Sequence, residues 1–150
     1  MEIDIALCLP RDAETVGIVR DIAVTALRRL GVSEACAEDV RIALSEACTN
    51  VIDHSRGDDQ YEVRLQVDHR LCQVRVVDSG RGFDVGALAT VEPDALSPRG
   101  RGVRLMRALV DSSHFESRPE AGTIVHLVKA MELDPDGALA RLRSPSAGPR

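Results

Sequence analysis

Residues 41–54, RIALSEACTNVIDH, have the spacing of one continuous helix. The apolar positions recur three and four residues apart and form one stripe, which comprises Val40, Ala43, Leu44, Ala47 and Val51. Glu46 and Asn50 lie one turn apart at the edge of this stripe. A carboxylate and an amide oxygen at that spacing can converge on one hydrated cation or one water, as Mg²⁺-dependent phosphate chemistry requires. The alternative is a solvated pair at the rim of an amphipathic helix, and the pair alone leaves both readings open.

Length and composition restrict the class of protein. A chain of 150 residues predicts one domain with a core that needs no disulfide or metal. A net charge of −5 and only three aromatic residues argue against a nucleic-acid partner. The four cysteines form no CxxC pair, which favours free thiols in a reducing cytoplasm over a zinc site. No apolar run approaches the roughly 20 residues of a membrane span, so we expect a soluble, cytoplasmic protein with no membrane contact.

Alternation and helical periodicity predict the order of elements along the chain. The predicted elements are a strand over 3–9, a helix from the Asp12 cap to Gly31, the helix capped by Ser33, strands over 61–67 and 71–78, a helix over 102–111, and strands over 114–118 and 123–130. They predict a two-layer α+β sandwich, with a mixed, mostly antiparallel sheet covered on one face by helices. We expect the domain to span 1–131, followed by a flexible C-terminal tail over 132–150 that begins with a short helical turn.

Asp78 ends a strand whose inward residues are Val74 and Val76, so the two-residue period directs its carboxylate to the apolar side. A buried carboxylate needs a partner, and a ligand amino group would provide one. An Asx-type turn that closes the strand is an equal alternative. Gly80 and Gly82 follow, and glycine at this spacing lets the backbone approach a planar ligand.

A second pair of glycines, Gly100 and Gly102, stands at the far end of the long 79–101 loop, directly before a predicted helix. Backbone N–H groups at a helix N-terminus can hold a phosphate when glycine clears the approach. The sequence contains neither a P-loop motif nor a Rossmann context for its glycines, which excludes the two common glycine-rich nucleotide folds.

Four motifs occur in a fixed order: EACTN at 46–50, DSGRG at 78–82, GRGVRLM at 100–106 and GT at 122–123. This order resembles the GHKL ATPase family, with its N box, two glycine boxes and terminal threonine, over residues 3–130. The forms VVDSGRGFD and GRGVRLM, with the compact length, resemble the anti-sigma-factor serine kinases of bacterial stress and sporulation switches. The resemblance implies a Bergerat-type ATP-binding fold with ATP and Mg²⁺ as cofactors.

The resemblance also implies roles for individual residues. Asn50 would ligate Mg²⁺, and Glu46 would be the general base or the group that orients the attacking hydroxyl. The other implied nucleotide contacts are Asp78 and Thr123 at the adenine, Gly80 and Gly82 along the base, and Gly100, Arg101 and Gly102 over the phosphates.

The partners implied by the resemblance are a sigma factor, which the protein would sequester, and a STAS-type anti-anti-sigma antagonist, which it would phosphorylate on serine or threonine. A homodimer is implied as well. Arg20, on the outer face of the first helix, would be a partner contact, although that face also reads as plainly solvated. Two other functions stay open: a nucleotide-dependent binding module without kinase turnover, and the detached catalytic domain of a sensor histidine kinase.

Overall fold

The computed structural model describes residues 2–54, 60–78, 98–118 and 122–143. In these ranges the chain forms five strands and four helices. In chain order they are β1 (Ile3–Pro10), α1 (Ala13–Leu30), α2 (Glu34–His54), β2 (Gln60–Val67), β3 (Leu71–Asp78), α3 (Pro98–Leu109), β4 (Ser112–Arg118), β5 (Gly122–Ala130) and α4 (Ala138–Arg143). The predicted α+β class is confirmed.

The five strands form one sheet in the order β1-β2-β3-β5-β4. Every pairing between the described strands is antiparallel, in agreement with the predicted mostly antiparallel sheet, and none of these pairings is the parallel kind that a mixed sheet would include. The reason is topological. β3 and β4 run in the same direction, but β5 returns between them and pairs with both.

The helix boundaries follow from local capping. Asp12 has extended backbone angles and its carboxylate accepts the N–H of Glu14 at 2.9 Å, while Gly31 ends α1 with φ +83°. The hydroxyl of Ser33 accepts the N–H of Cys36 at 3.3 Å at the start of α2. These three predicted caps are confirmed. α3 instead begins at Pro98, a favoured first helical residue, so the second pair of glycines lies inside its first turns and not before it.

The core is aliphatic and lies between the helices and one face of the sheet. Its largest fully buried side chains include Leu27, Leu44, Val51, Val76 and Met106. Burying each such side chain contributes about 1.5–3 kcal/mol. All four cysteines are free, as predicted, and burial raises the pKa of the Cys48 thiol to about 12.

The segment after β5 packs against the α1–α2 turn, so the predicted domain end at residue 131 is too early. The N–H of Ser33 donates to the carbonyl of Glu132 at 2.7 Å, and Leu139 in α4 is only 2% exposed. The backbones of Gly31 and Gly137 lie close together. A Cβ atom on Gly137 would lie only 2.7 Å from the Gly31 Cα, which leaves no room for a side chain there. The predicted helical turn is present, but it belongs to the packed domain. Residues 144–150 lie outside the described residues.

Candidate nucleotide-binding site

The C-terminal half of α2 carries two polar side chains at the edge of the core. Asn50 is 6% exposed and Glu46 is half-buried, while Ala47 and Val51 beside them are fully buried. Within the described residues, the Nδ2 atom of Asn50 is buried without a hydrogen-bond partner. Leaving a buried polar group unpaired costs about 1–3 kcal/mol. An acceptor on a ligand or water would satisfy it, which a merely solvated asparagine would not need.

The first turns of α3 lie directly against these two side chains. A Cβ on Gly102 would stand 2.7 Å from Oε2 of Glu46 and 3.7 Å from Oδ1 of Asn50. The first distance is shorter than real Cβ contacts, so any side chain at this position would have to displace the Glu46 carboxylate. The structure therefore brings Gly102 of the predicted phosphate cradle next to the predicted acid–amide pair, although a long stretch of sequence separates them.

At the tip of β3, Asp78 is paired in register with Thr123 of β5. Both side chains are 0% exposed and lie on the helix-covered face of the sheet. Directly opposed residues of antiparallel strands have Cβ atoms about 4.5–5.5 Å apart, so a ligand that reaches one side chain is within reach of the other. The predicted inward direction of the Asp78 carboxylate is confirmed.

The acid–amide pair and the Asp78–Thr123 pair lie at the same end of the molecule. One end of the sheet is formed by the end of β1, the start of β2, the end of β3 and the start of β5, which are adjacent. Asp78 and Thr123 lie at this end. Arg11 follows β1 there, and its Nη2 donates to the carbonyl of Ile52 at 2.9 Å. This contact places the C-terminal end of α2 at the same end of the sheet. Asn50 lies there as well, because it is only two residues before Ile52.

The sequence did not single out three side chains that shape this end: Arg11, Thr15 and Tyr61. The hydroxyls of Thr15 and Tyr61 are hydrogen-bonded at 2.6 Å in a buried position. Burial raises the pKa of Tyr61. A single tyrosine among the aliphatic inward positions of a strand could have indicated a buried hydroxyl that needs a hydrogen-bond partner. The spacing of residues along the chain does not show that this partner is Thr15 of α1.

Part of the predicted site cannot be compared with the structure. Gly80 and Gly82 fall in 79–97, outside the described residues, and the same holds for the side chain of Arg101. Gly100 belongs to α3. Their nucleotide contacts stay predictions.

The side chains around Asn50 restrict the kind of metal site that could form there. Among the described residues there is no group of three histidine, cysteine, aspartate or glutamate side chains that could hold a metal ion. Mg²⁺ in phosphate sites characteristically uses one or two protein oxygens and completes its shell with water and phosphate. A single amide oxygen at Asn50, beside the Glu46 carboxylate and the Gly102 backbone, fits that mode and does not fit an all-protein metal cage.

Helix α1 exposes two isoleucines on one side and carries Arg20 on a different side. Ile18 is 52% exposed and Ile22 is 36% exposed. Arg20 lies between them in sequence and forms an ion pair with Asp21 at 3.8 Å. None of the helices in the described ranges, α1 included, combines the length and the apolar character needed to cross a membrane.

Comparison with known proteins agrees with this geometry. Residues 9–129 match the family described as the histidine kinase-like ATPase domain. The chain therefore belongs to the histidine kinase-like ATPase family, and membership in an ATPase family implies that it uses ATP. The resemblance inferred from the four motifs is confirmed.

The curated relatives are named serine-protein kinase RsbW. The protein of Bacillus velezensis is 34% identical over 136 residues, which cover 83% of this chain and 84% of that relative. The protein of Bacillus subtilis is 32% identical over 136 residues, with the same coverage of 83% and 84%.

Solved structures share the fold. The RsbU and RsbW domains of Rv1364c from Mycobacterium tuberculosis align with a TM-score of 0.66 at 17% identity, covering 87% of this chain and 33% of that chain. This chain thus spans a third of that longer structure. The histidine kinase domain of the Erythrobacter litoralis EL346 blue-light activated kinase aligns with a TM-score of 0.50 at 20% identity, covering 89% of this chain and 67% of that one.

Proposed function

We propose that the protein is an ATP-dependent serine/threonine protein kinase that acts as an anti-sigma factor. It sequesters a sigma factor and phosphorylates an antagonist protein of the STAS type. The observation that carries this proposal is the contact of Gly102 with Glu46 and Asn50, which joins the second glycine box to the acid–amide pair. The 34% identity to a serine-protein kinase over most of both chains supports the same activity.

Each site residue has a task in this proposal. Asn50 would hold Mg²⁺ through its side-chain oxygen, where the ion would supply positive charge against the phosphates. The carboxylate of Glu46 accepts the proton of the attacking serine hydroxyl. Asp78 accepts a hydrogen bond from the adenine amino group, supported by Thr123. Gly80 and Gly82 lie along the base, and Gly100, Arg101 and Gly102 cover the phosphates.

The partner surface in this proposal is the outer face of α1. Arg20 contacts the sigma factor and the antagonist. The partly exposed side chain of Arg20 supports this assignment, since arginine is enriched at interface centres. The same proposal includes a homodimer, which would present two such faces. It also includes a location in the cytoplasm.

The test is transfer of label from γ-labelled ATP to candidate antagonist proteins. Glu46→Ala is expected to lower the transfer rate at least about 100-fold, the usual contribution of a general base. Glu38→Ala is the matched control, because Glu38 is on the same helix but pairs with Arg41 away from the site. Its transfer rate should equal that of the unmodified protein.

Each outcome distinguishes one function from another. Equal transfer by Glu46→Ala and the unmodified protein would contradict the proposed base. Tight ATP binding without transfer to any antagonist would favour a binding module. Label on a histidine of the partner would favour a sensor-kinase catalytic domain.

A further inference from the structure

The connection between β1 and α1 contacts the end of α2 that carries Asn50. Nη2 of Arg11 donates to the carbonyl of Ile52 at 2.9 Å. Ile52 is one of the last four residues of α2, whose carbonyls have no partner within a helix. A cation there also interacts favourably with the negative end of the helix dipole. Arg11 therefore caps α2 from outside the helix.

The backbone around Arg11 is held firmly. The hydroxyl of Thr15 contacts the carbonyl of Asp12 at 2.6 Å and the hydroxyl of Tyr61 at 2.6 Å. The second contact is buried and joins the first turn of α1 to the start of β2, beside the strand that ends at Asp78. The Arg11 side chain thus extends from a fixed point on the sheet to the end of α2.

The position of the Asn50 side chain depends on that helix end. Its Nδ2 atom has no hydrogen-bond partner within the described chain, so no bond from this atom holds the side chain in place independently of α2. Displacement of the last turn of α2 would move Asn50 directly, whereas the Asp78–Thr123 pair belongs to the sheet and would stay in place.

We propose that Arg11 is a positioning residue for metal-dependent nucleotide binding. By capping α2 at Ile52 it holds Asn50 where its amide can meet the metal and the phosphates, while it leaves the adenine end of the site unaffected. This inference rests on the proposed function, because it assumes that Asn50 serves Mg²⁺ and ATP.

The test is calorimetric titration of the full chain with ATP, once with Mg²⁺ and once with EDTA. The ratio of the two affinities measures the metal-dependent part of binding. Arg11→Ala is expected to lower the affinity for Mg·ATP about tenfold, the scale of one hydrogen bond to a charged group, and to leave the affinity in EDTA within about twofold. Arg11→Lys, which keeps a charged donor, is expected to recover part of the loss.

Arg28→Ala is the matched control. Arg28 of α1 also contacts α2 from outside that helix, because its side chain pairs with Glu34, with Nε 3.1 Å from Oε2. This pair lies at the end of α2 opposite to Ile52. Its ratio should equal that of the unmodified chain. If circular dichroism shows that Arg11→Ala does not fold, Arg11→Met keeps the aliphatic stem without the donor and carries the same expectation.

An unchanged ratio in the Arg11 variants, with normal Mg·ATP binding by the unmodified chain, would overturn this inference and leave the proposed function intact. An equal loss with Mg²⁺ and with EDTA would also overturn it, because a general structural role would weaken both. Absence of Mg·ATP binding by the unmodified chain would overturn the proposed function and this inference together.

Discussion

The two ends of α2 use polar residues in opposite ways. At the N-terminal end, Glu34 pairs with Arg28 in an exposed ion pair, and Glu38 pairs with Arg41 in a partly exposed one. At the C-terminal end, Asn50 is buried and its amide nitrogen has no partner among the described residues. Exposed ion pairs contribute little to stability and need no ligand. A buried amide without a partner lowers stability unless something binds it, which supports the proposed site at that end.

The largest effect should come from removing the buried amide. Asn50→Ala is expected to lower Mg·ATP affinity at least about 100-fold, because under the proposed function the metal would lose its protein ligand. The free energy of unfolding should change by less than about 1 kcal/mol, since the lost side chain had an unsatisfied donor. Calorimetry with Mg·ATP and thermal unfolding by circular dichroism measure the two quantities. An unfolded Asn50→Ala protein would make this residue a structural one and remove the contrast between the two ends.

A smaller effect should come from Gly102. A Cβ there would meet Oε2 of Glu46 at 2.7 Å, and this atom is the tip of a flexible side chain. Gly102→Ala should therefore displace the Glu46 carboxylate and lower phosphoryl transfer about tenfold, on the scale of a misplaced catalytic group. Stability should be unchanged or higher by about 0.5–1 kcal/mol, because alanine favours a helix over glycine.

The control for Gly102 is Gly17 in α1, where a Cβ would have ordinary contact at 3.6 Å from Nη2 of Arg20. Gly17→Ala should raise the thermal midpoint through helix propensity alone, and its Mg·ATP affinity should be unchanged. Normal transfer rates in Gly102→Ala would show that the α3 contact does not position Glu46.

The smallest effect belongs to the ion-paired end. Hydrogen bonding to Arg28 lowers the pKa of Glu34. A lowered folded-state pKa stabilises the protein above the ordinary pKa of glutamate, and this contribution is lost as the pH falls through the lowered value. Glu34→Gln should therefore lower the thermal midpoint of unfolding slightly at neutral pH. The decrease should be smaller in high salt and absent at strongly acidic pH. Nucleotide affinity should stay the same. A loss of ATP binding in Glu34→Gln would contradict the separation of the two ends.

Much of the fold and part of the site follow from local sequence. The apolar stripe of α2, the Asp12 and Gly31 caps of α1, and the alternation in β2 and β3 are encoded by near neighbours, and all are present. The burial of Asp78 follows from the same two-residue period. Periodicity and capping depend on residues a few positions apart, which is why sequence alone determines them.

Only the tertiary structure decided which distant residues meet. The contact between Gly102 and Glu46, the Arg11 cap on Ile52 and the packing of Leu139 under the α1–α2 turn join segments that are remote along the chain. The insertion of β5 between β3 and β4 decided that the described sheet is antiparallel throughout. Such contacts arise when whole helices and strands pack to bury apolar surface, and no local pattern specifies which side chains that packing brings together.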